Sequence, residues 1–142
     1  MKVGTILKEK NRKVVTTRPN ELVKHAADRL RMENIAALVV VEHDAIIGII
    51  SDREIVYAFS RHGAELMSMQ VKSLMVEPIP CTPDDDIKRI MKLMTQRRVR
   101  HLPVLENGKL VGIVSIGDVV RHRLTDLELE AGVMRDAYFA AH

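Results

Sequence analysis

Tryptophan is absent and aromatic residues make up only 3% of the chain, so the stacked-ring platforms that hold single-stranded nucleic acid have little to be built from. The one cysteine, Cys81, excludes an intramolecular disulfide, which fits a reducing compartment, and the cytoplasm is the expected location. Long hydrophobic runs are missing too. The longest, such as residues 36–41, fall far short of a bilayer span, and residues 1–4 open no signal-peptide core, so a soluble chain with no membrane contact is expected. His25, His43, His62, His122 and His142 share no metal-ligand spacing and read as solvated. No nucleophile, base and orienting group can be assembled, so neither a metal centre nor an enzyme is expected.

What is present begins with 142 residues, enough for one compact domain or two small halves. The net charge of +3 is mildly basic, and the cations fall in groups: Lys8, Lys10, Arg12 and Lys13; Arg97, Arg98 and Arg100; Arg121 and Arg123. Solvated helix faces explain such groups. A basic nucleic-acid-binding protein is the competing reading, separable by the salt dependence that phosphate contacts impose. The eight methionines fall mostly on helical apolar faces and read as core filling.

The dominant feature is an internal duplication. Residues 48–56, GIISDREIV, recur 64 positions later as residues 112–120, GIVSIGDVV, and the offset runs without a gap back to Pro19 against Pro83. Lys24, Leu38, Val40, Glu42, Gly48, Ile49, Ser51 and Val56 recur identically at that offset. Other core positions change within apolar types, as in Val23 against Ile87.

In chain order, residues 3–7 form a short apolar segment followed by a basic loop. Residues 14–17 are a β candidate stopped by Pro19. From Asn20, a plausible N-cap, Leu22, Val23, Ala26, Ala27 and Leu30 keep helical period to about Asn34. Residues 36–41 and 45–51 predict a hairpin about His43-Asp44, and a helix over residues 52–62 ends at Gly63. The second half repeats this order. Residues 71–75 resemble residues 3–7, a strand is expected over residues 79–82, and Asp84, Asp85 and Asp86 open a helix with Ile87, Ile90, Met91 and Met94 on its apolar face. Asn107-Gly108 is a strong hairpin turn between residues 101–105 and 110–115. The last helix begins near Ile116 and runs well past Leu124.

Each half is thus β-α-β-β-α. With Arg100-His101-Leu102-Pro103-Val104 and the Gly-apolar-apolar-Ser-x-x-Asp motif at residues 112–118, the chain resembles a tandem pair of CBS domains, a Bateman module, and in particular the small stand-alone bacterial pairs. The resemblance implies an α+β fold of two pseudo-twofold-related repeats packed through their sheets, over residues 1–66 and 67–125, with a helical extension at 126–142. It also implies a regulatory module that binds an adenosine ligand in the cleft between repeats and signals to a protein target by changing conformation. AMP is the first expectation, and ATP, ADP, NAD(H) and S-adenosylmethionine are alternatives. Carried over residue by residue, Asp118 takes the ribose, Ser115 lies between ribose and phosphate, Arg100 and His101 neutralise phosphate, and Thr5, Ile35 and Ala36 line the adenine.

The residues support that chemistry. A carboxylate can accept from both hydroxyls of a ribose, and Ser115 stands at a helix start, where free N–H groups favour phosphate. Ser-x-x-Glu at 51–54 and Ser-x-x-Asp at 115–118 are also helix-capping patterns. The first copy departs further from the family pattern: Glu54 replaces the aspartate, and Ala36-Ala37 replaces Arg100-His101. A weaker or differently selective site around Ser51, Arg53 and Glu54 is the most this copy is expected to form, with Arg53 able to serve a phosphate. Finally, Val120, Leu124, Leu127, Ala131, Met134 and Tyr138 keep helical spacing beyond the second repeat, and a homodimer is expected there.

Overall fold

The computed structural model describes residues 1–141; His142 lies outside the described residues. The elements are α1 (Val3–Lys10), β1 (Thr16–Thr17), α2 (Val23–Glu33), β2 (Ala37–Glu42), β3 (Ala45–Ser51), α3 (Asp52–His62), α4 (Ile87–Arg97), β4 (His101–Glu106), β5 (Lys109–Ser115) and α5 (Ile116–Ala141), with 3-10 turns at Gly63–Ser68 and Val71–Ser73. The fold is α+β with two sheets, as expected. No helix among the described residues is long and apolar enough to cross a membrane.

The chain forms two compact units. A continuous unit holds Lys13–Ile79, and a split unit joins Met1–Arg12 to the chain from Pro80 onward. These units are not the sequence repeats, because the segment that leads each repeat has been exchanged. In the split unit the Val3 and Gly4 N–H groups donate to the Asp85 and Pro83 carbonyls, and Ile87 N–H donates to Met1. In the continuous unit Val71 and Lys72 donate to Glu21 and Pro19, and Val23 donates to Met69. The two junctions are the same three bonds, made by equivalent residues.

The continuous unit orders its sheet β1-β2-β3, with β1 parallel and β3 antiparallel to β2. Ala26, Leu30, Leu38, Val40, Ile50 and Val71 form one buried cluster, joined by half-buried Met75 and Ile55. In the split unit β4 and β5 pair as a hairpin, and Val3, Ile6, Ile87, Ile90, Met94, Leu102, Val104 and Val114 are buried. Both hairpins shift register at the same place, between Val40 and Val41 and between Val104 and Leu105, so that Ile47 and Val111 are bulged. Both turns use two residues of positive φ: Asn107 and Gly108 at 52° and 76°, His43 and Asp44 at 50° and 62°. The second pair does this without glycine, at a steric cost.

Several expectations change. The basic stretch after Leu7 divides: Lys8, Glu9 and Lys10 finish α1, Asn11 closes it in the left-handed conformation, and Arg12 and Lys13 are loop as expected. Asn20 does not cap α2: the helix starts at Val23, whose N–H is already bonded to Met69, so no side chain is needed there. The strand expected at residues 79–82 is a single bridge from Cys81 to Val104. The three aspartates precede α4 rather than fill its first turn. Asp86 is the N-cap, accepting from Lys88 N–H, and Asp85 accepts from Thr82 N–H and Arg89. His122 is buried, not solvated, with Nε2 3.2 Å from Glu9 and Nδ1 3.1 Å from Met1 Sδ. Met94 is core, but Met32, Met67 and Met134 are exposed.

Gly48 and Gly112 each sit beneath an exchanged segment. A Cβ on Gly112 would come within 2.4 Å of Leu7, and one on Gly48 within 2.7 Å of the Met75 sulfur. Gly112→Ala is expected to lower unfolding stability by about 1–3 kcal/mol, the usual cost of overpacking. Asp44→Gly is expected to raise it by about 0.5–1 kcal/mol by relieving the left-handed turn. Urea denaturation of the two variants measures both.

Candidate functional site

The end of β5 and the start of α5 place the second motif. Ser115 precedes the first helical residue, and its hydroxyl accepts from Asp118 N–H at 3.1 Å while Asp118 Oδ2 accepts from Ser115 N–H at 3.0 Å. This is a reciprocal cap. His101 is the cross-strand partner of Ser115, and the Arg100 carbonyl accepts from Ile116 N–H at 2.8 Å. The backbone thus gathers Arg100, His101, Ser115 and Asp118 at one corner of the split unit. Arg100 is exposed and His101 half-buried. Thr5 lies in the same unit, exposed on α1.

The carboxylate of Asp118 is more occupied than its sequence suggests. Oδ2 also accepts from Lys10 Nζ at 2.8 Å, and Oδ1 accepts from Arg121 at 2.8 Å. Lys10 donates in addition to the Ile113 carbonyl at 3.1 Å, so one ammonium joins α1 to both β5 and α5. Burial of Asp118 would raise its pKa, but the Lys10 and Ser115 hydrogen bonds and the Lys10 charge outweigh it and hold the carboxyl below its ordinary value. The group is an ionised acceptor at a helix start, ringed by cations.

The first motif is arranged differently. Glu54 Oε1 accepts from both the backbone N–H and the hydroxyl of Ser51, at 2.9 and 2.8 Å, and the pair forms a capping box on α3. Arg53 lies 5.5 Å from the ring centre of Tyr57. Ile35, Ala36, Ser51, Arg53 and Glu54 all belong to the continuous unit, so the structure divides the sequence-derived residues between the two units. Asp52 N–H donates to Ala36 as Ile116 does to Arg100. The backbone duplication is intact here, and the side chains have diverged.

Sequence reasoning missed Lys10 and Arg121 as partners of Asp118. Arg121 lies three residues along the same helix, a spacing that brings charges together. Lys10 is 108 positions away, and only the exchanged junction reveals it. Cys81 is no nucleophile at neutral pH, because burial, reinforced by Asp85, pushes its thiol up to about 12.

The CBS domain family model matches residues 3–61 and 71–125. CBS domain-containing protein CBSX3, mitochondrial, of Arabidopsis thaliana is 38% identical over 108 residues, which are 72% of this chain and 52% of that protein. The chain therefore spans about half the length of this relative. The crystal structure of the CBS-domain containing protein ATU1752 from Agrobacterium tumefaciens superposes with a TM-score of 0.83 at 37% identity, covering 87% of this chain and 99% of that one. The CBS domain pair of MJ0100, described in complex with 5′-methylthioadenosine and S-adenosylmethionine, shares the fold with a TM-score of 0.78 at 23% identity, over 89% and 98% of the two chains.

Because the folded-state pKa of Asp118 is depressed, its contribution to stability is present above the ordinary carboxylate value and is lost as pH falls through the folded value. Wild type is therefore expected to exceed Asp118→Asn by about 1–3 kcal/mol near pH 7, with the gap closing below about pH 4. Thermal melts of the two proteins across pH 7 to 2.5 check this. A gap that stays constant with pH would mean the carboxylate charge is not what stabilises the corner.

Proposed function

Since the chain belongs to the CBS-domain family, matched over both repeats, we propose that it is a non-catalytic regulatory module that binds an adenine nucleotide at the Ser115 and Asp118 corner and signals its occupancy to a protein target by a change of conformation. The observation that carries this reading is Asp118 itself, a buried carboxylate kept ionised at a helix start. Such a group pairs strongly with the two hydroxyls of a ribose, and the adjacent helix N-terminus suits a phosphate. Arg100, just before β4, and His101, at its start, are the proposed phosphate partners, and Thr5 the proposed adenine contact. The ligands named for MJ0100 support an adenosine compound as the class. AMP is the first choice here; ADP, ATP, NAD(H) and S-adenosylmethionine are its comparators. The single buried Cys81 fits the cytoplasm as the place of action.

The Glu54 copy is the weaker site in this reading, because Ala36 and Ala37 stand where the other copy has Arg100 and His101. With AMP, or whichever of the comparators gives the largest thermal shift, Asp118→Ala is expected to weaken the tighter site by about 1.5–3 kcal/mol, more than tenfold. Glu54→Ala should stay within about threefold of wild type. Calorimetric titration, after circular dichroism has confirmed folding, measures both. If Glu54→Ala abolishes tight binding and Asp118→Ala spares it, the principal site has been misassigned.

Assembly is the second part of the proposal. Val120, Leu124, Leu127, Met134 and Tyr138 are all exposed on α5, and Val56, Tyr57 and Phe59 on α3. With Ala131 included, the α5 stripe alternates steps of four and three residues, the spacing of a helix that packs on another helix. A second copy of the same helix is the partner that such a stripe fits. Light scattering at tens of micromolar should report a dimer for wild type and a monomer for the double substitution Leu124→Glu, Leu127→Glu. A monomeric wild type would refute the assembly.

A further inference from the structure

We infer that Arg121 is a built-in competitor for the ribose: its guanidinium fills a place on the Asp118 carboxylate that a cis-diol requires, and ligand binding exchanges this internal ion pair for the two hydroxyls. The inference rests on the nucleotide reading above and concerns the regulation of the same site.

A carboxylate offers about four acceptor positions, two on each oxygen. On Asp118 the Oδ2 pair is taken by Lys10 and by Ser115 N–H, and one Oδ1 position is taken by Arg121. One position remains, whereas a diol brings two donors. Something must leave, and exposure decides which. The Lys10 side chain is 26% exposed and is held a second time by the Ile113 carbonyl; the Arg121 side chain is 69% exposed and holds Asp118 through the one nitrogen. Ser115 N–H is fixed by the backbone. Arg121 is the occupant that yields, and its departure frees both positions of Oδ1. Lys10 stays and preserves the charge of the carboxylate. The first copy has no such device, since the position equivalent to Arg121 is Tyr57.

An exposed ion pair contributes up to about 1 kcal/mol and weakens as salt screens it. Adenosine isolates the effect, because it carries the diol and no charge. Arg121→Ala is expected to bind adenosine about 2–5-fold more tightly than wild type at low salt, the affinity equivalent of about 0.4–1 kcal/mol. Wild-type affinity for this neutral ligand should also rise about twofold or more between 25 and 500 mM sodium chloride, whereas Arg121→Ala should be insensitive to salt. The salt series needs no variant and so stands even if the substitution disturbs α5. If wild type binds AMP or adenosine, but Arg121→Ala is no tighter for adenosine and salt leaves wild type unchanged, the competitor is disproved while the site survives. If wild type binds neither compound at millimolar concentration, the site reading falls and the competitor with it.

Discussion

The structure depends on a junction of three backbone hydrogen bonds, made twice. In each unit the segment that leads one repeat docks on the helix start of the other, and it brings N–H and C=O groups that would otherwise lack partners. The bonded positions have changed little between the copies: Met1 and Met69, Val3 and Val71, and Pro83 and Pro19 are identical pairs. The glycines follow from it. Leu7 and Met75 lie where a Cβ on Gly112 or Gly48 would be, so a side chain at either position would force the exchanged segment to shift. A repeat cut out by its sequence boundaries would lose its own cover.

The same junction explains why the two motifs differ in chemistry. Aligning Val3 with Val71 puts Lys10 opposite Pro78. In the split unit the leading segment is an eight-residue helix that delivers an ammonium to Asp118 and to the Ile113 carbonyl. In the continuous unit it is a short turn followed by extended chain, and Val76 exchanges backbone bonds with Ile49, the equivalent of Ile113. The strand edge is satisfied in both places, once by a side chain and once by the main chain. The first solution brings Lys10 to the motif carboxylate. Glu54 accepts from Ser51 as Asp118 does from Ser115, without a lysine from the leading segment.

Much of this was legible in the chain. The 64-residue offset fixed the repeated order, Asn107-Gly108 located one hairpin and so the other, and the Ser-x-x-acid pattern marked the starts of α3 and α5. What was not legible came from contacts between distant segments. Asn20 looked like a cap because nothing local showed that Met69 would take the Val23 N–H. His122 looked solvated because its partners, Glu9 and Met1, belong to the far end of the chain. Lys10 looked like one cation in a basic loop. One signal was available: the leading segments align at an offset of 68 rather than 64, so they form a separate module whose placement need not follow the rest of the repeat.

α5 ties the proposed nucleotide site to the proposed assembly. Its first two turns carry Asp118 and Arg121, and Val120, the first residue of its exposed apolar stripe, lies between them. The helix is 26 residues long, about 39 Å at the usual rise, and a helix held by packing at one end transmits a rotation of that end along its whole length. Exchange of the Arg121 ion pair for a ribose alters the electrostatics of the turn from which the stripe departs. Coupling then requires only that ligand-bound and ligand-free forms of this turn present the stripe differently. Linkage fixes the converse: whatever factor nucleotide applies to association, association applies to nucleotide affinity. A module with no catalytic chemistry of its own can report a nucleotide through one helix, provided the ligand and the second copy compete for, or share, the same setting of its first turn.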